Sequence, residues 1–174
     1  MSVQFRPNLE ILAESQHEAF HLEVRDSYGV PSEDEPFQRF LNNEPFDYRE
    51  WFRGWSGFVQ ELTARGVSFK RVRVITVPHS DYQRWSLVMA AFNVEAGEDI
   101  RYLPRHLAGD TPPDDWWLID NKTVVFNLAD KDGRSVGGSA VTTDHEIVSY
   151  CQSVRDRLWV LATPYPDYIR VTSQ

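Results

Sequence analysis

The residues best suited to chemistry lie in KRVRVITVPHSDYQRW, where Arg71 and Arg73 alternate with Val72 and Val74, and His79, Ser80, Asp81, Tyr82 and Arg84 follow. A guanidinium is planar, always charged and presents paired donors that match phosphate or carboxylate. The unsatisfied N–H groups of a helix start add to that attraction. The expected ligand-binding set is therefore Arg71, Arg73, His79, Ser80, Asp81, Tyr82 and Arg84, with Arg101 from the following strand. His79, beside Pro78 at the carboxyl end of the segment, is the one histidine singled out for a functional role. A plainer alternative is that the arginines pair with the chain's surplus carboxylates at the rim of a sheet. Asp81 at the first helical position also opposes an anion there.

No other cluster points to a reaction. Arg25, Asp26, Ser27 and Tyr28, followed by Glu33, Asp34 and Glu35, lack the alternate oxygen spacing of a calcium loop; they read as a solvated acidic loop or as partners for the arginines. His17 and His21 are spaced i, i+4 but not in the H-E-x-x-H order, and no third ligand accompanies them. Cys151 falls on an apolar helical stripe, and Ser139 lacks the context of a nucleophile elbow. Gly133, Gly137 and Gly138 are not followed by the Lys-Ser/Thr of a phosphate loop. No catalytic residue, metal or cofactor is expected on these grounds.

The 174 residues are 41% hydrophobic, enough for one domain with its own core. A formal net charge of -8 and a pI near 5.1 oppose broad nucleic-acid binding, which needs clustered Lys and Arg. One cysteine permits no internal disulfide, no apolar run reaches membrane-spanning length, and the first residues lack a signal-peptide pattern. A soluble cytoplasmic protein with no membrane contact is expected. Six Trp, seven Tyr and ten Phe supply either a thick core or a partner-binding face, a homodimer among the uses of the latter.

The frame for the site follows from periodicity. Residues 8–16 form a short helix capped by Asn8, and Phe20, Leu22 and Val24 then alternate with His21, Glu23 and Arg25 as in a half-buried strand. Gly, Pro and acids mark an ordered loop with a helical turn around residues 36–41. Trp51, Trp55, Phe58, Val59 and Leu62 recur at helical spacing, and Gly66 suits the left-handed position after a helix. A strand from Val67 turns at Pro78 into a helix opened by a Ser80–Gln83 capping box and striped by Tyr82, Trp85, Met89 and Phe92. A second strand follows at residues 99–103. Strand, helix, strand implies a parallel pair with a crossover helix, and the loop at the first strand's carboxyl end is the natural ligand position. Residues 116–119 and 123–128 make a hairpin about Asp120, Asn121 and Lys122, and a weak Gly-rich strand follows near residues 136–141. Thr143-Asp144-His145-Glu146 opens a last helix, which Pro164 and Pro166 end. The expected class is α/β with a mixed, partly parallel sheet, in one domain over residues 1–174. Residues 1–47 are expected to give a strand plus an acidic loop covering the core.

Four segments, HEAFHLEVRDSYGVPSEDEPFQRFL, RVRVITVPHSDYQRW, AGEDIRYLPR and DDWWLIDNKTVVF, span most of the chain and resemble an uncharacterised actinobacterial domain family encoded beside helix-turn-helix regulators. The later half also resembles a single phospholipase D-type repeat: strand RVRVIT, helix, strand DIRYLP, strands WWLID and TVVFNL, and a final helix. That resemblance implies a phospholipase D-like core over residues 48–166. Its chemistry rests on H-x-K-x-x-x-x-D, with an attacking His and a phosphate-binding Lys. Placing the pattern's Asp on Asp120 puts Pro113 at the His position and Asp115 at the Lys position. The resemblance thus implies the fold without its nucleophile or cation, and adds only Asp120 to the ligand-binding set.

Two functional expectations follow. The first is a non-catalytic regulatory or binding domain that works with a helix-turn-helix transcriptional regulator as protein partner, or senses a small anionic ligand near Arg71, Arg73, Ser80, Tyr82 and Arg84. The alternative is a phosphodiesterase or nuclease-like enzyme of degenerate phospholipase D type, with His79 as nucleophile or base and the arginines as clamps.

Overall fold

Alternating apolar and polar residues, broken by Gly, Pro and Asn turns, build one mixed sheet in this protein, whose computed structural model describes residues 4–6 and 8–172. The strands are β1 (Gln4–Arg6), β2 (Glu18–Glu23), β3 (Ser68–Ile75), β4 (Asp99–Pro104), β5 (Trp116–Ile119), β6 (Thr123–Ala129), β7 (Ser135–Thr142) and β8 (Thr163–Pro164). Their order is β1-β7-β6-β5-β2-β3-β4-β8. β2, β3 and β4 run parallel, and the other neighbouring pairs are antiparallel. The helices are α1 (Asn8–Ala13), α2 (Asp34–Leu41), α3 (Tyr48–Ala64), α4 (Asp81–Glu95), α5 (His145–Leu161) and α6 (Tyr165–Thr172). None of the described helices is long and apolar enough to cross a membrane.

Connectivity decides what covers each face. The steps β2 to β3 through α3, and β3 to β4 through α4, move the same way across the sheet. Right-handed crossovers therefore place α3 and α4 on one face. There Val59 and Leu62 of α3 pack on Ala19, Phe69 and Trp117, while Ala90 of α4 and Tyr168 of α6 pack near Ile75, Ile100 and Tyr102. α5 returns across the opposite face, where Val148, Cys151, Val154 and Leu158 close over Phe20, Leu22, Val72, Val74, Trp116 and Leu118.

Local signals explain the ends. Asp47 accepts from the backbone N–H of Glu50 to start α3, and Gly66, at φ +88°, takes the left-handed position after its end. The Asp120–Asn121 turn of the β5–β6 hairpin has φ of 52° and 55°, a conformation that short polar side chains tolerate. Ser80 accepts from Gln83 N–H as expected, but the Gln83 amide donates to the Arg25 carbonyl, so the reciprocal half of the capping box is absent. Asp144 rather than Thr143 caps α5, accepting from Glu146 and Ile147. The side chain of Asn8 lies outside the described residues.

Three elements go beyond the sequence-based expectation: β1, β8 and α6. Pro164 does follow the end of α5, but Pro166 sits in the first turn of α6, where its missing N–H leaves no bond unmade. The first 47 residues do more than cover the core, because β2 lies in the middle of the sheet between β5 and β3. Beyond β2, Phe37 of α2 packs edge-on against Tyr82 and tilted against Trp85 of α4.

Candidate ligand-binding site

Strand register assembles the site. Parallel pairing sets His21 beside Arg71 and Glu23 beside Arg73; antiparallel pairing sets His21 beside Trp117, and β4 brings Tyr102 beside Arg73. Side chains alternate across a sheet, so these residues share the α3/α4 face while Phe20, Leu22, Val72 and Val74 point to α5. The result is a polar floor in the centre of the sheet.

The floor is an ion network. Arg71 donates through Nε to Glu98 Oε1 at 2.6 Å and through Nη1 to Glu23 Oε1 at 2.7 Å. Arg73 donates through Nε to Glu23 Oε2 at 2.5 Å, and through Nη1 to Tyr102 Oη at 3.1 Å and to the Ser86 hydroxyl. These guanidiniums retain under a tenth of their exposure, and the Glu98 side chain has none. Burial opposes ionisation of Glu23, yet Arg71 and Arg73 together hold its carboxyl well below the usual range. For Glu98 burial prevails over Arg71, and its pKa is raised. Nη2 of Arg71 and of Arg73 has no acceptor among the described residues.

His21 is stacked on Trp117 with ring centroids 3.9 Å apart and planes 9° from parallel. Its Nε2 lies 3.2 Å from Asn127 Nδ2. Burial, assisted by the two arginines and opposed by Glu23, lowers its pKa to about 3, so the ring is neutral at physiological pH. A neutral imidazole that accepts from Asn127 carries its proton on Nδ1, which lies 3.6 Å from Glu23 and has no hydrogen-bond partner among the described residues.

Aromatic walls rise over this floor. Trp51, Phe52 and Trp55 come from α3, Tyr82, Trp85 and Met89 from α4, and Val30, Ser32 and Glu33 from the segment after β2. They enclose a cavity of about 620 Å³ that reaches His21, Glu23, Arg71, Arg73, Trp117 and Asn127. Tyr82 Oη donates to Glu33 Oε2 at 2.7 Å, and Trp55 Nε1 donates to Asn93 Oδ1 at 2.9 Å. Trp85 Nε1 is buried and unpartnered among the described residues. Stacking surfaces and directed donors are therefore present together; the cavity is lined by Ser32 and Ser86, the latter's hydroxyl accepting from Arg73, and by no cysteine or lysine. Among the described residues no cluster of three His, Cys, Asp or Glu could hold a metal ion.

Of the expected site residues, Arg71, Arg73 and Tyr82 meet at this cavity, and the others stand elsewhere. Ser80 donates to the Asp26 carbonyl, Asp26 also receives Thr76, and His79 Nε2 lies 2.6 Å from Tyr168 Oη. The loop after β3 is thus tied down, and the open space lies over the sheet instead. Arg84 and Asp81 pair with each other on the surface. Arg101 is on the α5 face, 3.8 Å from the Trp159 ring. Asp120 accepts from the N–H groups of Gln16, His17 and Glu18, which fixes the approach to β2. The arginines do pair with carboxylates, as the plainer alternative held, but in the middle of the sheet rather than at its rim. His21, Glu23, Glu98 and Trp117 complete the site, and the only local sign of the first two is the polar half of an alternating strand.

A second, smaller cavity of about 460 Å³ adjoins the first at Leu9, Val30 and Asn127. Asp115 lines it with Arg25, Tyr28 and Ser139. Asp115 accepts from Val24 N–H at 2.8 Å, and burial pushes its carboxyl up to about 6, with Glu23 adding to the shift.

A family model described as "Domain of unknown function (DUF6879)" matches residues 8–170. No functionally curated protein matches the chain. Among solved structures, NucT from Helicobacter pylori, a phospholipase D-like nuclease, superposes with a TM-score of 0.52 at 10% identity, over 94% of this chain and 97% of NucT. That likeness establishes a phospholipase D-like fold.

Proposed function

The chain belongs to the DUF6879 family, and we propose that it is a non-catalytic binding domain, a phospholipase D-like fold whose α3/α4 face has become a small-molecule receptor site. The observation that carries this is the aromatic-walled cavity over a buried Arg–Glu floor, lined by no lysine or cysteine and with its one histidine, His21, stacked on Trp117. Pro113 and Asp115 at the His and Lys positions of the phospholipase D pattern support the same view. Ligand occupancy would then be read by a protein partner, for which a helix-turn-helix transcriptional regulator is proposed from the resemblance of the four sequence segments.

A thermal-shift screen of metabolites against the wild-type chain and Trp51→Ala tests the site. Compounds that raise the melting temperature of the first but not the second are expected. A screen without such compounds overturns the proposal. Co-purification with a basic regulator tests the partner separately.

The likeness to a nuclease favours a second reading, a residual phosphodiesterase. Turnover of bis(p-nitrophenyl) phosphate by the wild-type protein, lost in His21→Ala or His79→Ala, would establish it and displace the first. Absence of turnover removes it.

A further inference from the structure

The charge arithmetic of the cavity floor narrows the class of ligand, given the receptor site proposed above. Two guanidiniums, Arg71 and Arg73, face two carboxylates, Glu23 and Glu98, at 2.5 to 2.7 Å. The floor therefore offers charge-assisted donors with no surplus positive charge. Glu33 adds a further carboxyl group to the wall. A phosphate or carboxylate placed here would compete with the Glu23 carboxylate for the same two guanidiniums and would meet the carboxyl groups of Glu98 and Glu33 as well. A carbonyl oxygen accepts the same N–H groups and brings no charge.

The walls favour flat ligands. Trp51, Phe52, Trp55, Trp85 and Trp117 line the cavity, and aromatic side chains hold planar rings by stacking whatever the sequence of ring atoms. A volume of about 620 Å³ is that of a site for a molecule of two or three rings with substituents. Asn127, Asn93 and Ser32 provide neutral polar groups at the edges.

We propose that the cavity takes an uncharged, planar heterocycle bearing ring carbonyl groups, stacked among the tryptophans and accepting from Nη2 of Arg71 and Arg73, rather than an anion. This proposal differs from the small anionic ligand expected from the sequence, because the structure pairs both arginines with Glu23 and Arg71 also with Glu98.

Isothermal titration of the full chain with uridine, guanosine and riboflavin, against inorganic phosphate, pyrophosphate and benzoate, decides the matter. At least one uncharged compound is expected to bind, with a Kd that changes less than about two-fold between low and high salt because no net charge is neutralised. Trp51→Ala and Phe52→Ala, both at half-buried wall positions, should each weaken that binding about ten-fold or more while the melting temperature shows the fold intact. Tighter binding of phosphate, pyrophosphate or benzoate than of every uncharged probe would overturn the ligand class and leave the receptor site standing. No binding by any of the three uncharged probes at millimolar concentration would also overturn it. Binding unaffected by both wall variants would instead remove the site itself.

Discussion

The two faces of the central sheet are made by the same strands and could hardly differ more. Toward α5, Phe20, Leu22, Val72, Val74, Trp116 and Leu118 are fully buried against an apolar helix stripe. Toward α3 and α4, their immediate neighbours Glu23, Arg71 and Arg73 set buried ions beneath a cavity, with the neutral His21 beside them. Taking ions out of water costs several kcal/mol each, and hydrophobic side chains of similar size commonly give equal or greater stability. The α5 face is thus explained by folding alone, whereas the α3/α4 face is not. A sheet that places a charged, hollow surface at its central positions is what the proposed recognition role would require.

The sharpest way to break this contrast is to delete one charge. Glu23→Ala leaves Arg71 with only Glu98 and Arg73 with no carboxylate, and is expected to destabilise by about 3–5 kcal/mol in urea unfolding. Leu22→Ala, one residue away on the packed face, should cost about 2–5 kcal/mol by leaving a cavity. The two losses separate by cause: replacing Glu23 together with its cationic partners should restore stability, which no second substitution does for Leu22.

Asp115, at the edge of the charged face, gives a pH signature. Its carboxyl titrates near 6 in the folded state against an ordinary 3.8, so the folded form binds more protons between those values. Its contribution to stability therefore falls as pH rises from about 4 to 6 and stays low above. Asp115→Asn should raise stability at pH 7.5 relative to its effect at pH 4, by about 1–3 kcal/mol, in paired denaturation curves. His21 slopes the other way. Its folded pKa of about 3 lies below the ordinary 6.5, so its contribution falls as pH drops through that window. A wild-type profile that responds to pH identically in Asp115→Asn would contradict the assignment. The smallest effect belongs to the exposed Asp81–Arg84 pair: Arg84→Ala should change stability by less than about 0.5 kcal/mol and leave ligand binding intact.

Periodicity made the frame legible. α3, α4, α5 and the β5–β6 hairpin could be read because each repeats apolar residues at its own spacing and ends on a local cap or turn. β1 and β8 are too short to show a period, and α6 follows a proline that reads as a stop. In the site, the arginines were legible as residue types, but their meaning depended on register. Glu23 lies in β2 and Glu98 just before β4, and only pairing of β2, β3 and β4 brings them to Arg71 and Arg73. His79 and Ser80 suggested a ligand loop, and nothing local reveals that Asp26 and Tyr168 occupy it.

On the proposed reading, the ions of the α3/α4 face serve recognition and not folding. Replacing the network at once, with Glu23→Leu, Arg71→Met, Arg73→Met and Glu98→Met, should leave the melting temperature equal to or above that of the wild-type chain while abolishing ligand binding. A quadruple variant that fails to fold, or melts far below the wild type, would show that the charged floor holds the sheet together and would contradict the account.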